Sequence, residues 1–130
     1  MGTRYLTDSN ALIDYLEEII PEKGLAFMDA LIDSGELTIS VVTEIEVLGF
    51  QAADAYLRKV QQLVEAVEVI PLADAATIRE AIAIRRTARI KLPDAVIAAT
   101  AKVRGLTLLS RNDKDFSRVE GLTVLNLHTL

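Results

Sequence analysis

The chain has carboxylates at four places where a divalent metal ion could bind: Asp8, the pair Glu44 and Glu46, Asp94, and the pair Asp113 and Asp115. Carboxylates that gather at one place repel one another, and a divalent cation is the simplest group that offsets the repulsion. A set made only of oxygen ligands suits Mg²⁺ or Mn²⁺ rather than structural zinc, which prefers Cys and His. These acids are therefore candidate ligands for Mg²⁺ or Mn²⁺.

Each of these acids also has an ordinary structural explanation. Asp8 could cap a helix by accepting backbone N–H groups, and Thr43 with Glu46 has the spacing of a capping box. Asp94 would gain from the dipole at the start of its helix, and the segment SRNDKDF has the composition of a turn. A cap and a metal ligand are compatible roles, so neither explanation removes the other.

Several nearby residues bear on which acids could act. Asn10, two residues after Asp8, could orient its carboxylate. Glu44 and Glu46 would lie about 200° apart around a helix, so only one is expected to reach a cleft. His128 has no partner at a metal-ligand spacing and receives no role. No Ser, Cys or His is placed like an enzymatic nucleophile.

Alternating apolar runs and helical periods must position these acids. Short strands are predicted at 5–7, 37–42, 67–72, 106–110 and 122–127, and helices at 12–19 (ended by Pro21), 22–34, 43–49, 52–66, 74–90 and 92–104. This order predicts a three-layer α/β/α sandwich with a mostly parallel central sheet. Ligands of such sheets lie outside the carboxyl ends of the strands, where three of the four acidic places fall.

Length and composition limit the class of protein. The 130 residues predict one domain, and a hydrophobic fraction of 51% excludes a disordered chain. There is no Cys, no apolar run near the roughly 20 residues of a membrane span, and no secretory signal, so a cytoplasmic protein is expected. Residues 1–78 hold 14 acids and 4 bases, whereas residues 79–130 hold 5 acids and 10 bases. This asymmetry fits either an anionic partner or two ordinary solvated faces.

Four segments together resemble a known family. YLTDSNALIDYL, ISVVTEIEVLGF, KLPDAVIAATA and LLSRNDKDF look like the four motif blocks of PIN-domain proteins, in order, from about residue 5 to residue 126. The resemblance is to the VapC-type ribonuclease toxins of bacterial toxin–antitoxin pairs. It implies acidic site residues at Asp8, Glu46 and Asp94 and in the last block, an RNA substrate, a cognate antitoxin and a homodimer.

The chain departs from the family pattern at three positions. Ser9 and Ser110 stand where Thr is common, and Asn112 stands where Asp is frequent. Either Asp113 or Asp115 could take over the role of the missing acid. Asp115 is preferred because it precedes Phe116, whose ring is expected to pack inward and fix the backbone.

The resulting hypothesis is a metal-dependent endoribonuclease. Asp8 and Asp94 would bind Mg²⁺ or Mn²⁺, Glu46 and Asp115 or Asp113 would complete the site, and Asn10, Thr43, Ser110 and Asn112 would support it. The bases that precede Asp94 could bind RNA phosphates, or some could contact the antitoxin. These bases are Arg85, Arg86, Arg89 and Lys91.

Two other classes of function are considered. A PIN-like module could bind RNA or protein without catalysis, and the Asn112 departure keeps this alternative open. A phosphoryl-accepting α/β domain would need adjacent acids after the first strand, or the pattern Asp-x-Asp. The segment DSN after that strand has neither.

Overall fold

A computed structural model describes residues 4–130 of the chain. Its strands are β1 (Tyr5–Thr7), β2 (Leu37–Ser40), β3 (Glu68–Ile70), β4 (Thr107–Leu109) and β5 (Val124–Leu125). They form one sheet in the order β3-β2-β1-β4-β5, and all four strand pairings are parallel. The chain adds strands outward on one side of β1 and then returns to add β4 and β5 on the other. The strand order therefore reverses between β1 and β4.

The helices cover both faces of this sheet. They are α1 (Ser9–Leu16), α2 (Glu22–Ser34), α3 (Val41–Leu48), α4 (Asp54–Ala66), α5 (Ala75–Thr87), α6 (Leu92–Arg104), α7 (Asp113–Phe116) and a C-terminal 3-10 helix (Leu127–Thr129). One buried apolar cluster joins the sheet to α5, α6 and α7, and a second joins it to α1, α2, α3 and α4. The predicted three-layer α/β/α sandwich is confirmed.

Helix α3 begins earlier than the sequence pattern indicated. Ser40 is its N-cap, and the Ser40 hydroxyl accepts the N–H of Val42 at 3.1 Å. The sequence predicts a strand up to residue 42, but the β-branched run enters the helix at Val41. Thr43 lies inside α3 and not at its start, so the predicted capping box of Thr43 and Glu46 is wrong.

Three other boundaries differ from prediction for local reasons. Helix α1 starts at Ser9 because Asp8 caps it, and the chain leaves the helix before Pro21 with Glu18 in a left-handed conformation (φ +57°). Helix α5 ends at Thr87, since Arg89 also has a positive φ of +56°. The segment expected to be a turn forms the short helix α7, capped by Asn112.

The C-terminal 3-10 helix packs closely against α2. A Cβ atom added to Gly24 would lie 2.4 Å from the Leu127 carbonyl oxygen, so only glycine permits this approach. Leu127 itself is buried. This contact brings the end of the chain next to α1 and α2.

Within residues 4–130, no helix combines the length and apolar composition needed to cross a lipid bilayer.

Candidate functional site

Asp8 lies where the strand order reverses, at the carboxyl end of β1. Its backbone N–H donates to the Leu109 carbonyl of β4 at 3.0 Å, which continues the pairing of the two strands. Its carboxylate accepts the N–H of Ala11 at 2.8 Å and so caps α1. The side chain is buried, with 5% of the residue exposed. Asp8 is thus both a helix cap and an acid at the place where ligands of such sheets bind.

A comparison with a second capping aspartate separates the two roles of Asp8. Asp74 caps α5 in the same way, with its carboxylate accepting the N–H of Thr77 at 3.0 Å. Hydrogen bonds from Thr77 lower the pKa of Asp74 to about 2. The pKa of Asp8 is instead raised to about 6. Burial is the largest cause, and the charges of Asp94 and Asp14 act in the same direction, whereas hydrogen bonds with Ser110 and Ala11 lower the pKa. A capping role alone therefore does not account for the raised pKa of Asp8.

Three further acids converge on this region from separate helices. Asp94, in the first turn of α6, has its pKa raised by burial, then by the charges of Glu46 and Asp115. The charge of Lys91 acts in the opposite direction. The Asp94 charge also reaches Asp8. Four of the predicted acids therefore lie close enough for their charges to interact, and they come from β1, α3, α6 and α7.

Ser9, in the first turn of α1, forms side-chain hydrogen bonds with α3. The Ser9 hydroxyl contacts both the carboxylate of Glu46 and the hydroxyl of Thr43, the latter at 3.1 Å. Thr43 is fully buried, whereas Glu46 is exposed on the side of α3 that faces Asp94. No comparable contact joins Glu44 to the described acids. Of the two candidate glutamates, the structure brings Glu46 to the group.

In the fourth motif block, LLSRNDKDF, the side chain of Asn112 orients Asp115, the second acid of the block. Asn112 caps α7 and contacts Asp115 twice, because its Oδ1 accepts the Asp115 N–H at 3.3 Å and its Nδ2 donates to the Asp115 carboxylate at 3.1 Å. Arg118 forms an ion pair with the same carboxylate at 3.7 Å. Phe116 is buried, as expected. Asp113 is exposed at the start of α7, and the structure does not bring its side chain to the other acids.

The predicted supporting residues at Asn10 and Ser110 differ in position. Ser110 is buried at the end of β4, and its hydroxyl hydrogen-bonds Asp8 and accepts the Asn112 N–H at 2.9 Å. Asn10 is exposed, and no hydrogen bond connects its side chain to Asp8 in the described part of the chain. Ser110 therefore has the orienting contact that the sequence assigned to Asn10.

The four predicted RNA-binding bases occupy different local environments. Arg85, Arg86, Arg89 and Lys91 are all exposed. Arg85 also donates to the Ile90 carbonyl at 3.0 Å, so it supports the connection between α5 and α6. Arg89 keeps a left-handed backbone that would favour glycine. Lys91 is the N-cap residue of α6, and it is the one of the four whose charge affects Asp94.

The sequence reasoning missed one group of charged residues behind the acids. Asp14 is buried in α1, and its carboxylate contacts Arg111 at 3.3 Å and His128 at 3.2 Å. The helical period places Asp14 opposite the apolar face of Leu12 and Leu16, so the sequence pattern did not indicate that this acid is buried and needs a partner. Nothing in the sequence pattern identified Arg111 or His128 as that partner.

The donor atoms fit a hard divalent cation that keeps most of its water. Within residues 4–130, no three His, Cys, Asp or Glu side chains are arranged to share one ion directly. Mg²⁺ commonly binds through one or two carboxylates, with waters and substrate phosphates as its other ligands. The buried carboxylate of Asp8 and the half-buried carboxylate of Asp94 match that need for few direct ligands.

Comparisons with known proteins agree with this geometry. The family model described as PIN domain matches residues 5–122, whereas no curated protein sequence matches the chain. VapBC from Salmonella typhimurium, bound to DNA, is similar in fold with a TM-score of 0.82 and 22% identity, over 96% of this chain and 98% of that one. FitAcB from Neisseria gonorrhoeae has a TM-score of 0.77 and 24% identity, over 97% and 99% of the two chains. A toxin–antitoxin complex from Klebsiella pneumoniae has a TM-score of 0.74 and 25% identity, with the same coverage. The chain belongs to the PIN domain family.

Proposed function

We propose that this PIN domain is a metal-dependent endoribonuclease that hydrolyses RNA phosphodiester bonds, and that it is the toxin of a toxin–antitoxin pair. One observation carries the enzymatic part: Asp94 lies within range of the charges of three other acids from separate parts of the chain, Asp8, Glu46 and Asp115. Carboxylates at such range repel one another, and a divalent cation would offset that repulsion. Family membership supports nuclease chemistry, and the VapBC and toxin–antitoxin neighbours support the biological role.

Asp8 and Asp94 would bind Mg²⁺ or Mn²⁺, and Glu46 and Asp115 would contact it through water. Such an ion, when bound, supplies a water of lowered pKa and stabilises charge on the scissile phosphate. Ser110 fixes the Asp8 carboxylate, and Ser9 holds Glu46. These contacts orient the acids before any substrate arrives, which limits the reorganisation needed for reaction.

RNA would approach over the basic segment between α5 and α6. Lys91 is exposed and its charge reaches Asp94, and Arg86 and Arg89 are exposed on the chain that leads to it. These bases could bind phosphates, whereas Arg85 also serves the backbone. A cavity of about 360 Å³ lies on the outer side of α5 and the start of α6. It is lined by the exposed apolar side chains of Leu72, Ile78, Ile82 and Leu92, with Arg85 and Arg86 beside them. We propose this surface for the homodimer, with a small antitoxin protein as the second partner and the cytoplasm as the location.

Cleavage of RNA by purified protein tests the proposal. Wild type should cut a single-stranded RNA in Mn²⁺ and not in EDTA, and Asp94→Asn should abolish cutting. Asp74→Asn is the matched control, since it changes a capping aspartate away from the acidic group and should cut normally. Cleavage by Asp94→Asn at the wild-type rate would refute the assignment of the metal site.

A binding module without catalysis is the second candidate. The observation in its favour is that no three described carboxylates are preassembled around one position. Calorimetric titration with Mn²⁺ separates the two candidates, because a binding module has no need to take up metal. Uptake of Mn²⁺ that is lost in Asp94→Asn would favour the nuclease, whereas RNA binding without metal uptake would favour the module.

A further inference from the structure

Asp14 is a buried acid that the proposed chemistry does not use. Its side chain is 5% exposed, although it lies two residues from both Leu12 and Leu16 and therefore on the opposite side of α1 from the apolar face that those two residues form. Desolvating a carboxylate is costly, and an apolar side chain would fill such a position more favourably. A charge retained there needs a reason beyond packing.

The partners of Asp14 come from two distant parts of the chain. Arg111 Nη1 lies 3.3 Å from Asp14 Oδ2, and His128 Nε2 lies 3.2 Å from the same oxygen. Arg111 follows β4 directly, and His128 belongs to the C-terminal 3-10 helix. Asp14 Oδ2 therefore joins α1 to both the segment after β4 and the C-terminal 3-10 helix.

Ser110 is connected to both of these segments, the one that contains Arg111 and the one that leads to His128. Arg111 is its neighbour in sequence, and the Leu125 carbonyl, three residues before His128, accepts the Ser110 N–H at 3.1 Å. Ser110 in turn hydrogen-bonds Asp8 and accepts the N–H of Asn112. The contacts of Asp14 thus converge on the residue that connects Asp8 with the fourth motif block.

Arg111 lies in that block between two residues that contact the acids. The residue before it contacts Asp8, and the residue after it, Asn112, contacts the Asp115 carboxylate at 3.1 Å. The side chain of Arg111 is 51% exposed, and its described polar contact is the one with Asp14. Removing that contact would free the side chain and loosen the backbone between the two acids.

We propose that Asp14 is a positioning residue: by binding Arg111 and His128 it fixes the Ser110–Asp115 segment and so sets the separation of the Asp8 and Asp115 carboxylates. The metal-binding consequence rests on the proposed function, whereas the effect on the segment does not. An ordinary structural ion pair would stabilise the fold without this local effect. The experiment must therefore measure the segment itself as well as the metal.

The test compares Asp14→Asn and Arg111→Gln with a control variant, Glu80→Gln. The control breaks the 3.0 Å ion pair of Glu80 with Lys102, which joins α5 to α6 away from the acids. Hydrogen exchange is measured on metal-free protein, and Mn²⁺ affinity by calorimetry. In Asp14→Asn the amides of Asn112 and Asp115 should exchange about tenfold faster or more, while those of α6 stay protected as in wild type. Mn²⁺ affinity should fall by about tenfold or more.

Arg111→Gln should change both quantities in the same direction, and the double variant should be no worse than Asp14→Asn alone, because the Arg111 contact is one of the two that Asp14 makes. Arg111 is half exposed, so its variant remains a test even if Asp14→Asn does not fold. Unchanged exchange of the segment in both variants, or exchange no faster than in Glu80→Gln, would overturn the proposal. If wild type binds no Mn²⁺ and cuts no RNA, the proposed function fails, and the exchange data decide the role of Asp14 alone.

Discussion

Asp8→Asn should make the metal-free protein more stable at neutral pH. The pKa of Asp8 is raised from 3.8 to about 6, first by burial and then by neighbouring acids. The folded state therefore binds this proton more tightly than the unfolded state does. The stability that protonated Asp8 contributes is fully present below about pH 4 and is lost as the pH rises through about 6. Asparagine stays neutral throughout this range.

The size of the effect follows from the difference between the two pKa values. A difference of roughly 2 corresponds to about 3 kcal/mol of unfolding free energy above pH 6, which is an upper limit for one buried group. Asparagine caps helices about as well as aspartate, so the cap should survive. Because the amide also loses water on burial, we expect a net gain of about 1–2 kcal/mol. For a chain of this length that raises the melting temperature by about 3–8 °C.

Thermal unfolding in EDTA, measured from pH 4 to pH 8, checks this prediction. The two proteins should melt at similar temperatures near pH 4, diverge as the pH rises from about 4 to about 6, and keep a constant difference at higher pH. Asp74→Asn is the control with the opposite sign, because the pKa of Asp74 is lowered to about 2 and its ionised form stabilises the fold. Adding Mn²⁺ should stabilise wild type much more than Asp8→Asn.

Two results would refute this reasoning about Asp8. One is a melting temperature of metal-free Asp8→Asn below that of wild type at pH 7.5, which would mean that the ionised carboxylate stabilises the fold. The other is a constant difference between the two proteins at all pH values, which would remove proton binding at Asp8 as the cause.

Three further predictions address other parts of the site and the fold. Asp115→Asn should raise the Mn²⁺ concentration for half-maximal cleavage by about tenfold, and Asp113→Asn should not; the reverse order would identify Asp113 as the fourth acid. Replacing Arg86 and Arg89 with Gln should weaken RNA binding and flatten its salt dependence by up to about 0.7 per lost phosphate contact, whereas an unchanged slope would make both ordinary surface residues. Gly24→Ala should lower the free energy of unfolding by about 1–3 kcal/mol in urea titration, and a wild-type midpoint would contradict the close packing of the C-terminal 3-10 helix.

The layered fold could be predicted because its signals are local. Each strand is a short apolar run, and each long helix has its own apolar period and stop signals, so the alternation was visible without tertiary information. A parallel sheet with crossover helices places the carboxyl ends of its strands at one edge. Asp8 and Ser110, which end two predicted strands, could thus be placed at that edge from the sequence pattern, whereas the order of the strands could not.

Boundaries and side-chain partners required information that the pattern does not contain. Ser40 and Thr43 are both acceptable caps, and the sheet decides between them because β2 ends at Ser40. The contact of Asp14 with His128 joins residues 114 positions apart, which no local period can indicate. That Ser110 and not Asn10 contacts Asp8 also depends on tertiary structure, because the contact requires β4 to lie beside β1 in the sheet.

The position of Glu46 explains how the acids coexist before a metal binds. Four carboxylates at a strand edge without a cation would move apart as far as their helices permit. Glu46 is the most exposed of them, and its carboxylate is held by the Ser9 hydroxyl of α1. This hydrogen bond restrains an acid that repulsion from Asp94 would otherwise turn outward. Ser9 follows Asp8 directly in the sequence. The start of α1 therefore contains the buried carboxylate of Asp8, which caps the helix, and also holds the exposed carboxylate of Glu46 through Ser9. The first turn of α1 therefore restrains both Asp8 and Glu46, one through a backbone N–H and the other through a hydroxyl.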